Sequence, residues 1–178
     1  MTSLKDLIKD PSVAELALIA QYAALKPDAA RERAFKAFAN TGLPHRRMEA
    51  WKWTDLRGSV KEQAGLSAVL VPQITGADGV EMSVNQGTAS DAPMSAVSAM
   101  LNGETIQLNI PAGAALSEPI TISELTKGHA RIALSVGEGA SITLIEHHRG
   151  LTGGFANVDI SIQPVSYTHL TLPTILLV

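Results

Sequence analysis

Apolar residues change their spacing once along this chain. Up to about residue 70 they recur every three or four positions, as on one face of a helix; beyond Pro72 they alternate in short runs bounded by turn residues. Asp10-Pro11 reads as an N-cap with proline at the first helical position, and Val13, Leu16, Ala17, Ala20 and Ala24 form a stripe running to about Leu25. Pro27-Asp28 opens a second helix. There Ala30, Ala34, Phe35 and Phe38 lie opposite Arg31, Glu32 and Lys36, and the pattern stops at Thr41-Gly42. The two helices are expected to form a hairpin. The pattern also accommodates a short leading helix over Leu4 to Ile8 and another over Val60 to Ala68 with Lys61 and Glu62 outward.

In the second part, glycine becomes frequent and aromatic residues nearly vanish. Val80-Met82-Val84, Ile106-Leu108-Ile110, Ile120-Ile122, Ile132-Leu134-Val136, Ile142-Leu144 and Val158-Ile160-Ile162 each have period two, which turns one face inward. These are predicted strands. Ala92 to Met100 fits a helical turn or two, and Leu101-Asn102-Gly103 resembles a hairpin turn. Pro111 to Leu116 and Val136 to Ser141 are small-residue corners of similar length. Such corners suit a β-sandwich or the rungs of a β-solenoid, and periodicity does not choose between them.

Between the two textures lies Gly42-Leu43-Pro44-His45-Arg46-Arg47-Met48-Glu49-Ala50-Trp51-Lys52-Trp53-Thr54-Asp55-Leu56, which holds both tryptophans of the chain and a cluster of charges. Gly-Leu-Pro stops the preceding helix, because glycine takes a positive φ and proline biases Leu43 away from helical angles. An ordered loop should follow. If both indoles dock they bury a large area, so the segment is expected to brace the helical hairpin against the β part.

Composition narrows the function classes. The 178 residues suit one domain or two small ones, and 46% hydrophobic with 17% charged is ordinary for a globular chain. A net charge of -3 and a pI near 5.9 argue against phosphate-neutralising contact with nucleic acid. No apolar run reaches the roughly 20 residues that span a bilayer, and Lys5, Asp6, Lys9 and Asp10 occupy the place of a signal peptide's apolar region. A cytoplasmic location is expected, with no membrane partner. The absence of cysteine excludes disulfides and thiolate-ligated metal or iron-sulfur sites within these residues.

Candidate chemistry is sparse. Glu146-His147-His148 is the one local group with ligand potential, yet on a strand Glu146 and His148 face one way while His147 faces the other with Ile145 and Arg149. His45 and His129 are isolated. Gly137-Glu138-Gly139 places an acid where a phosphate loop needs backbone N–H groups and a lysine, so it reads as a turn. Arg46, Arg47, Glu49 and Lys52 could hold a small anion, although a structural role is preferred. No catalytic, cofactor or metal residue is assigned, and no enzymatic activity is expected. A small cupin-like metal protein using His147 and His148, or a generic β-rich binding module, is the alternative.

Val165 to Thr174 resembles the translation, complete over ten codons, of a transposon adapter used to prepare sequencing libraries. Its flanking bases fit Pro164 and Ile175, an index would encode Ile175 to Leu177, and the next adapter codons give Val178 and a stop. Residues 165–178 are therefore expected to be adapter-derived, and Met1 to about Gln163 to be a fragment of a longer natural protein.

Two motifs carry a family resemblance. Gly42, Leu43, Pro44, Arg46, Arg47, Glu49, Trp51, Lys52, Trp53, Thr54 and Leu56 resemble the signature GLP-x-R-(K/R)-x-E-x-W-K-(Y/W)-T-x-L of SufD-like proteins in the SufB/SufD family, with tryptophan at 53 where many members have tyrosine. Val136 to His147, including Glu138, Gly139, Glu146 and His147, is similar to the family's L-x-E-G-A-x-(A/V)-T-(V/L)-I-E-H stretch, and Asn157-Val158-Asp159-Ile160 follows. The resemblance covers Met1 to Gln163 and is thinnest between Ser59 and Met100. It implies an α+β fold: an N-terminal helical domain with its linker motif over 1–72, then the first rungs of a right-handed parallel β-helix, here truncated, over 73–164. It further implies a scaffold subunit of iron-sulfur cluster assembly, pairing with SufB through the β-helix and with the ATPase SufC through a C-terminal domain absent here. On that reading the cluster belongs to the parent complex, and this fragment binds none.

Overall fold

The computed structural model describes residues 7–26, 28–61, 69–87, 92–149 and 154–164. Helix α1 spans Val13–Ala24 and α2 spans Ala29–Thr41. Asp28 caps α2: its carboxylate accepts from Ala30 N (2.6 Å) and Arg31 N (3.2 Å), and these bonds lower its pKa. The cap of α1 lies two residues later than the Asp10-Pro11 expectation. Ser12 and Glu15 form a reciprocal capping box, which satisfies the helix's first donors and leaves Pro11 outside. The buried face of α1 is accordingly Ala14, Glu15, Leu18 and Ile19, while Val13 is exposed. Tyr22 stacks on Phe35 with ring centroids 4.3 Å apart, joining α1 to α2.

A third helical partner dominates the packing of α2. Helix α4, Pro93–Leu101, follows the short α3 (Leu56–Ser59) in chain order, lies one residue later than the expected Ala92 to Met100, and is buried along nearly its whole length. Its Ala, Val, Met and Leu side chains share one core with Leu18, Ile19, Phe35, Phe38 and Leu43. Buried nearly all round, it sits between the other helices and the strands. Leu101-Asn102-Gly103 is therefore not a hairpin turn but the end of this helix, where Arg31 caps the last carbonyls. Its guanidinium donates to Met100 O (3.1 Å), Leu101 O (2.7 Å) and Asn102 O (3.0 Å).

Among the described residues there are seven strands: β1 Gln73–Thr75, β2 Glu81–Gln86, β3 Glu104–Ile110, β4 Ile120–Leu125, β5 Gly128–Val136, β6 Leu144–His148 and β7 Ala156–Pro164. Strand β1 has no counterpart among the expected runs, β6 begins at Leu144 and leaves out Ile142, and β2 is exposed on both faces rather than turning one inward. They form two sheets, of order β1-β4-β6 and β2-β3-β5-β7. Strands β3, β5 and β7 are parallel and in register, so that Ile106 lies beside Ile132 and Ile132 beside Ile160. Strands β4 and β6 are likewise parallel, whereas β1 and β2 pair antiparallel at one side of each sheet. Leu108, Ile110, Ile120, Ile122, Ile132 and Leu134 fill the core between the sheets. In β4 the alternation breaks: Glu124 has φ 60° and the register shifts between Ile122 and Leu125, which turns Leu125 inward. The corners also stack on one another. Gly137 N donates to Ile110 O, Gly113 N to Glu138 O and Ser141 N to Ala114 O. A Cβ on Gly137 would lie 2.4 Å from Ala112 N, so this close approach requires glycine.

The expected leading helix lies largely, and the one expected over Val60 to Ala68 in all but its first two residues, outside the described residues, as does the 165–178 tail. Val60 caps α3.

Candidate functional site

The Gly42–Leu56 stretch is held by a buried carboxylate. Glu15 on α1 is fully buried; its Oε1 accepts from Leu43 N (2.8 Å) and its Oε2 from Ser12 N (2.6 Å) and Arg57 Nε (3.1 Å). Burial alone would raise its pKa. The backbone bonds from Ser12 and Leu43 and the Arg57 charge together outweigh burial and bring the pKa below the ordinary 4.5, so Glu15 is ionised. Gly42 makes room for it: φ is +65°, and a Cβ there would lie 2.5 Å from Glu15 Oε1. Arg57 ties the other end of the stretch back, its guanidinium donating to Asp10 O and its backbone N to Pro44 O (2.8 Å).

The signature residues divide between anchors and surface. Gly42, Leu43 and Pro44 are buried, and Leu56 packs against the helical core. Glu49 to Trp51 make a single 3-10 turn, and Lys52 bonds Glu49 at 2.8 Å. The expected indole brace is not built. Trp53 is 89% exposed, with Lys52 Nζ 5.7 Å from its ring centre, and Trp51 is half-buried. The buried ion pair has taken the anchoring role. Arg46 and Arg47 are exposed beside His45, Asp55, Arg57 and Gly58, around an open cleft of about 440 Å³. Thr54 is exposed, and its N donates to Trp51 O.

The second motif lies in the strands. Glu138 and Gly139 form the exposed turn between β5 and β6, with Gly139 at φ +69°. Glu146 and His147 are exposed on β6. Glu146 Oε2 and His148 Nε2 are 2.9 Å apart, on one face as expected. Among the described residues no group of three or more His, Asp and Glu side chains is placed to hold a metal, and no helix is long and apolar enough to cross a membrane.

A buried polar seam escaped the sequence reading. Outward positions of β5 and β7, which in a two-layer sheet would meet water, are covered by α4. His129, Arg131 and Asn157 are buried there. Asn157 Nδ2 lies 2.8 Å from Met94 O, 2.8 Å from Ser98 Oγ and 3.3 Å from His129 Nδ1. Asp159 Oδ2 accepts from Ser95 Oγ (2.7 Å) and is 3.5 Å from Arg131 Nε, whose Nη1 donates to Gly87 O. The signal lay in Ser95 and Ser98, polar positions in an otherwise apolar helix, though nothing local told which strands they face.

This geometry holds the chain's own segments in place; the described side chains show no nucleophile–base pair with an orienting third group. No curated protein matches the chain. Residues 10–73, which contain α1 to α3 and the whole Gly42–Leu56 stretch, match the family model described as the SufBD protein N-terminal region.

Proposed function

We propose that this chain carries the N-terminal part of a SufD-like scaffold subunit of iron-sulfur cluster assembly. The observation that carries the reading is the family match over residues 10–73, which contains the stretch anchored by Glu15. The parallel registers of β3-β5-β7 and β4-β6, with hydrogen-bonded corners between them, support reading residues 73–164 as early rungs of a parallel β-helix. SufB is the proposed partner through that helix, and SufC through a C-terminal domain beyond these residues. The fragment itself has no enzymatic activity and holds no cluster, since cluster ligation by thiolates needs cysteine and the sequence has none. Its place is the cytoplasm.

The ten-codon adapter match supports excluding residues 165–178 from the natural protein. Resequencing the source gene past the codon for Gln163 tests this: the expected frame continues into more glycine-punctuated strands, with cysteine and histidine. The longer chain should then co-purify with SufB and SufC and sustain cluster assembly. A native frame that reads through Val165 to Val178 would overturn the fragment reading, and a longer chain that binds neither partner would overturn the scaffold reading.

A further inference from the structure

We propose that the cleft bounded by His45, Arg46, Arg47, Asp55, Arg57 and Gly58 binds the phosphoryl group of a small molecule, held by the guanidinium forks of Arg46 and Arg47. The inference rests on the cleft alone and stands apart from the scaffold reading. A volume of about 440 Å³ is that of a small-ligand site, with room for a phosphoryl group and the organic part that carries it. The walls are fixed by bonds beneath them. Arg57 N donates to Pro44 O (2.8 Å) and Met48 N to His45 O (2.9 Å), which ties the turn carrying both arginines to α3. Arg47 N donates to His45 Nδ1 (3.2 Å), so the ring's own N–H is on Nε2, a donor on a side chain that lines the cleft. Only the two arginine side chains remain for a ligand to order.

Charge selects the ligand. Arg57 is already engaged, its Nε bonding Glu15 Oε2 at 3.1 Å and its Nη2 donating to Asp10 O. Arg47's guanidinium has no partner among the described residues. Arg46 has one ion pair, with Asp55 at 3.9 Å, the limit of such a contact, and Asp55 is itself held by Gly58 N (3.0 Å). A ligand therefore has to draw Arg46 away from a carboxylate. Another carboxylate, with the same single charge and two oxygens, gains nothing by that exchange. A phosphoryl group brings a charge of about −1.5 to −2 and three acceptor oxygens at neutral pH, and a guanidinium meets two such oxygens in parallel bonds. Nucleic acids and anionic membranes carry the same group, but the chain's net charge of -3 opposes a surface of extended negative charge. A small molecule that enters one cationic cleft meets little of that repulsion.

The test is isothermal titration calorimetry of the full chain at constant ionic strength, with inorganic phosphate and glycerol 3-phosphate titrated separately and succinate, a dianion of two carboxylates, as control. Saturable binding of at least one phosphate is expected, about tenfold or more tighter than succinate. Whichever phosphate binds more tightly identifies the source of the group, free phosphate or phosphate ester. Arg46→Ala and Arg47→Ala should each weaken that binding about tenfold or more, because each removes charge-assisted bonds. Arg47→Lys keeps the charge without the fork and should fall between wild type and Arg47→Ala. Circular dichroism should be unchanged in all three, since both side chains are exposed. Succinate binding as tightly as either phosphate, variants that bind like the wild type, or no saturable binding at millimolar concentration would overturn the proposal. So would tighter binding, lost in the same variants, to a single-stranded oligonucleotide or to vesicles containing phosphatidylserine.

Discussion

Replacing Glu15 by glutamine isolates the bond that holds the Gly42–Leu56 stretch in place. Glutamine keeps the length of the side chain and can keep the capping box, its carbonyl accepting from Ser12 N as Glu15 Oε2 does at 2.6 Å. Its amide then meets Leu43 N–H donor to donor, where Oε1 had accepted at 2.8 Å. Leu43 is fully buried, so the stranded N–H costs about 1–3 kcal/mol. The charge on Arg57 adds about 0–1 kcal/mol, because that side chain is a third exposed and solvent screens it. Replacing a charged by a neutral acceptor at Ser12 adds about 1 kcal/mol. Urea unfolding at neutral pH should thus show Glu15→Gln less stable by about 2–5 kcal/mol with an unchanged m-value, and hydrogen exchange should accelerate at the Leu43 amide. The pH dependence has a definite sign. A carboxyl whose folded pKa is depressed contributes stability that is complete above its unfolded value, near 4.5, and is lost as pH falls through the lower folded value. The gap between wild type and variant should therefore be full at neutral pH and narrow below about pH 4.5. A loss under 1 kcal/mol at neutral pH, or a gap that widens with acid, would refute the account of Glu15 as the anchor.

Gly42→Ala should destabilise by about 2 kcal/mol or more, since the new Cβ combines a positive φ with a 2.5 Å approach to Glu15 Oε1; in the Glu15→Ala background the same substitution should cost less, a coupling that a double-mutant cycle reads. Asn157→Ala should cost about 2–3 kcal/mol by leaving Met94 O and Ser98 Oγ without their donor, and thermal unfolding followed by circular dichroism will measure it. Thr105→Val should have the opposite sign: Thr105 Oγ1 is buried with no hydrogen-bond partner among the described residues, so the isosteric apolar side chain is expected to stabilise by about 1 kcal/mol. A destabilised Thr105→Val would show that the hydroxyl is satisfied after all.

Much of the architecture was legible in the order of residues. Helix α2 begins at the expected Asp28 and ends at Thr41, because a side-chain cap and a glycine are local signals written in adjacent residues. The strands at Ile106, Ile120, Ile132 and Val158 follow period two, which the pleat imposes wherever one face is buried. Helix α4 was legible only in part. Its burial on every side depended on being enclosed by α2 on one side and by β5 and β7 on the other, and nothing in its own residues told that Ser95 and Ser98 would be covered too.

Sequence alone therefore determined the change from helical to strand texture, the cap and stop of α2, and the signature that the family match later covered. Tertiary structure decided which of those residues do the holding. Two tryptophans in three residues suggested a buried aromatic brace, yet Trp53 stands in solvent and a glutamate 28 residues upstream of Leu43 is the anchor. The reason is physical. A backbone N–H that is taken out of water must find an acceptor, an ionised carboxylate is the strongest one on offer, and the partner that supplies it is chosen by proximity in space, which spacing along the chain does not encode.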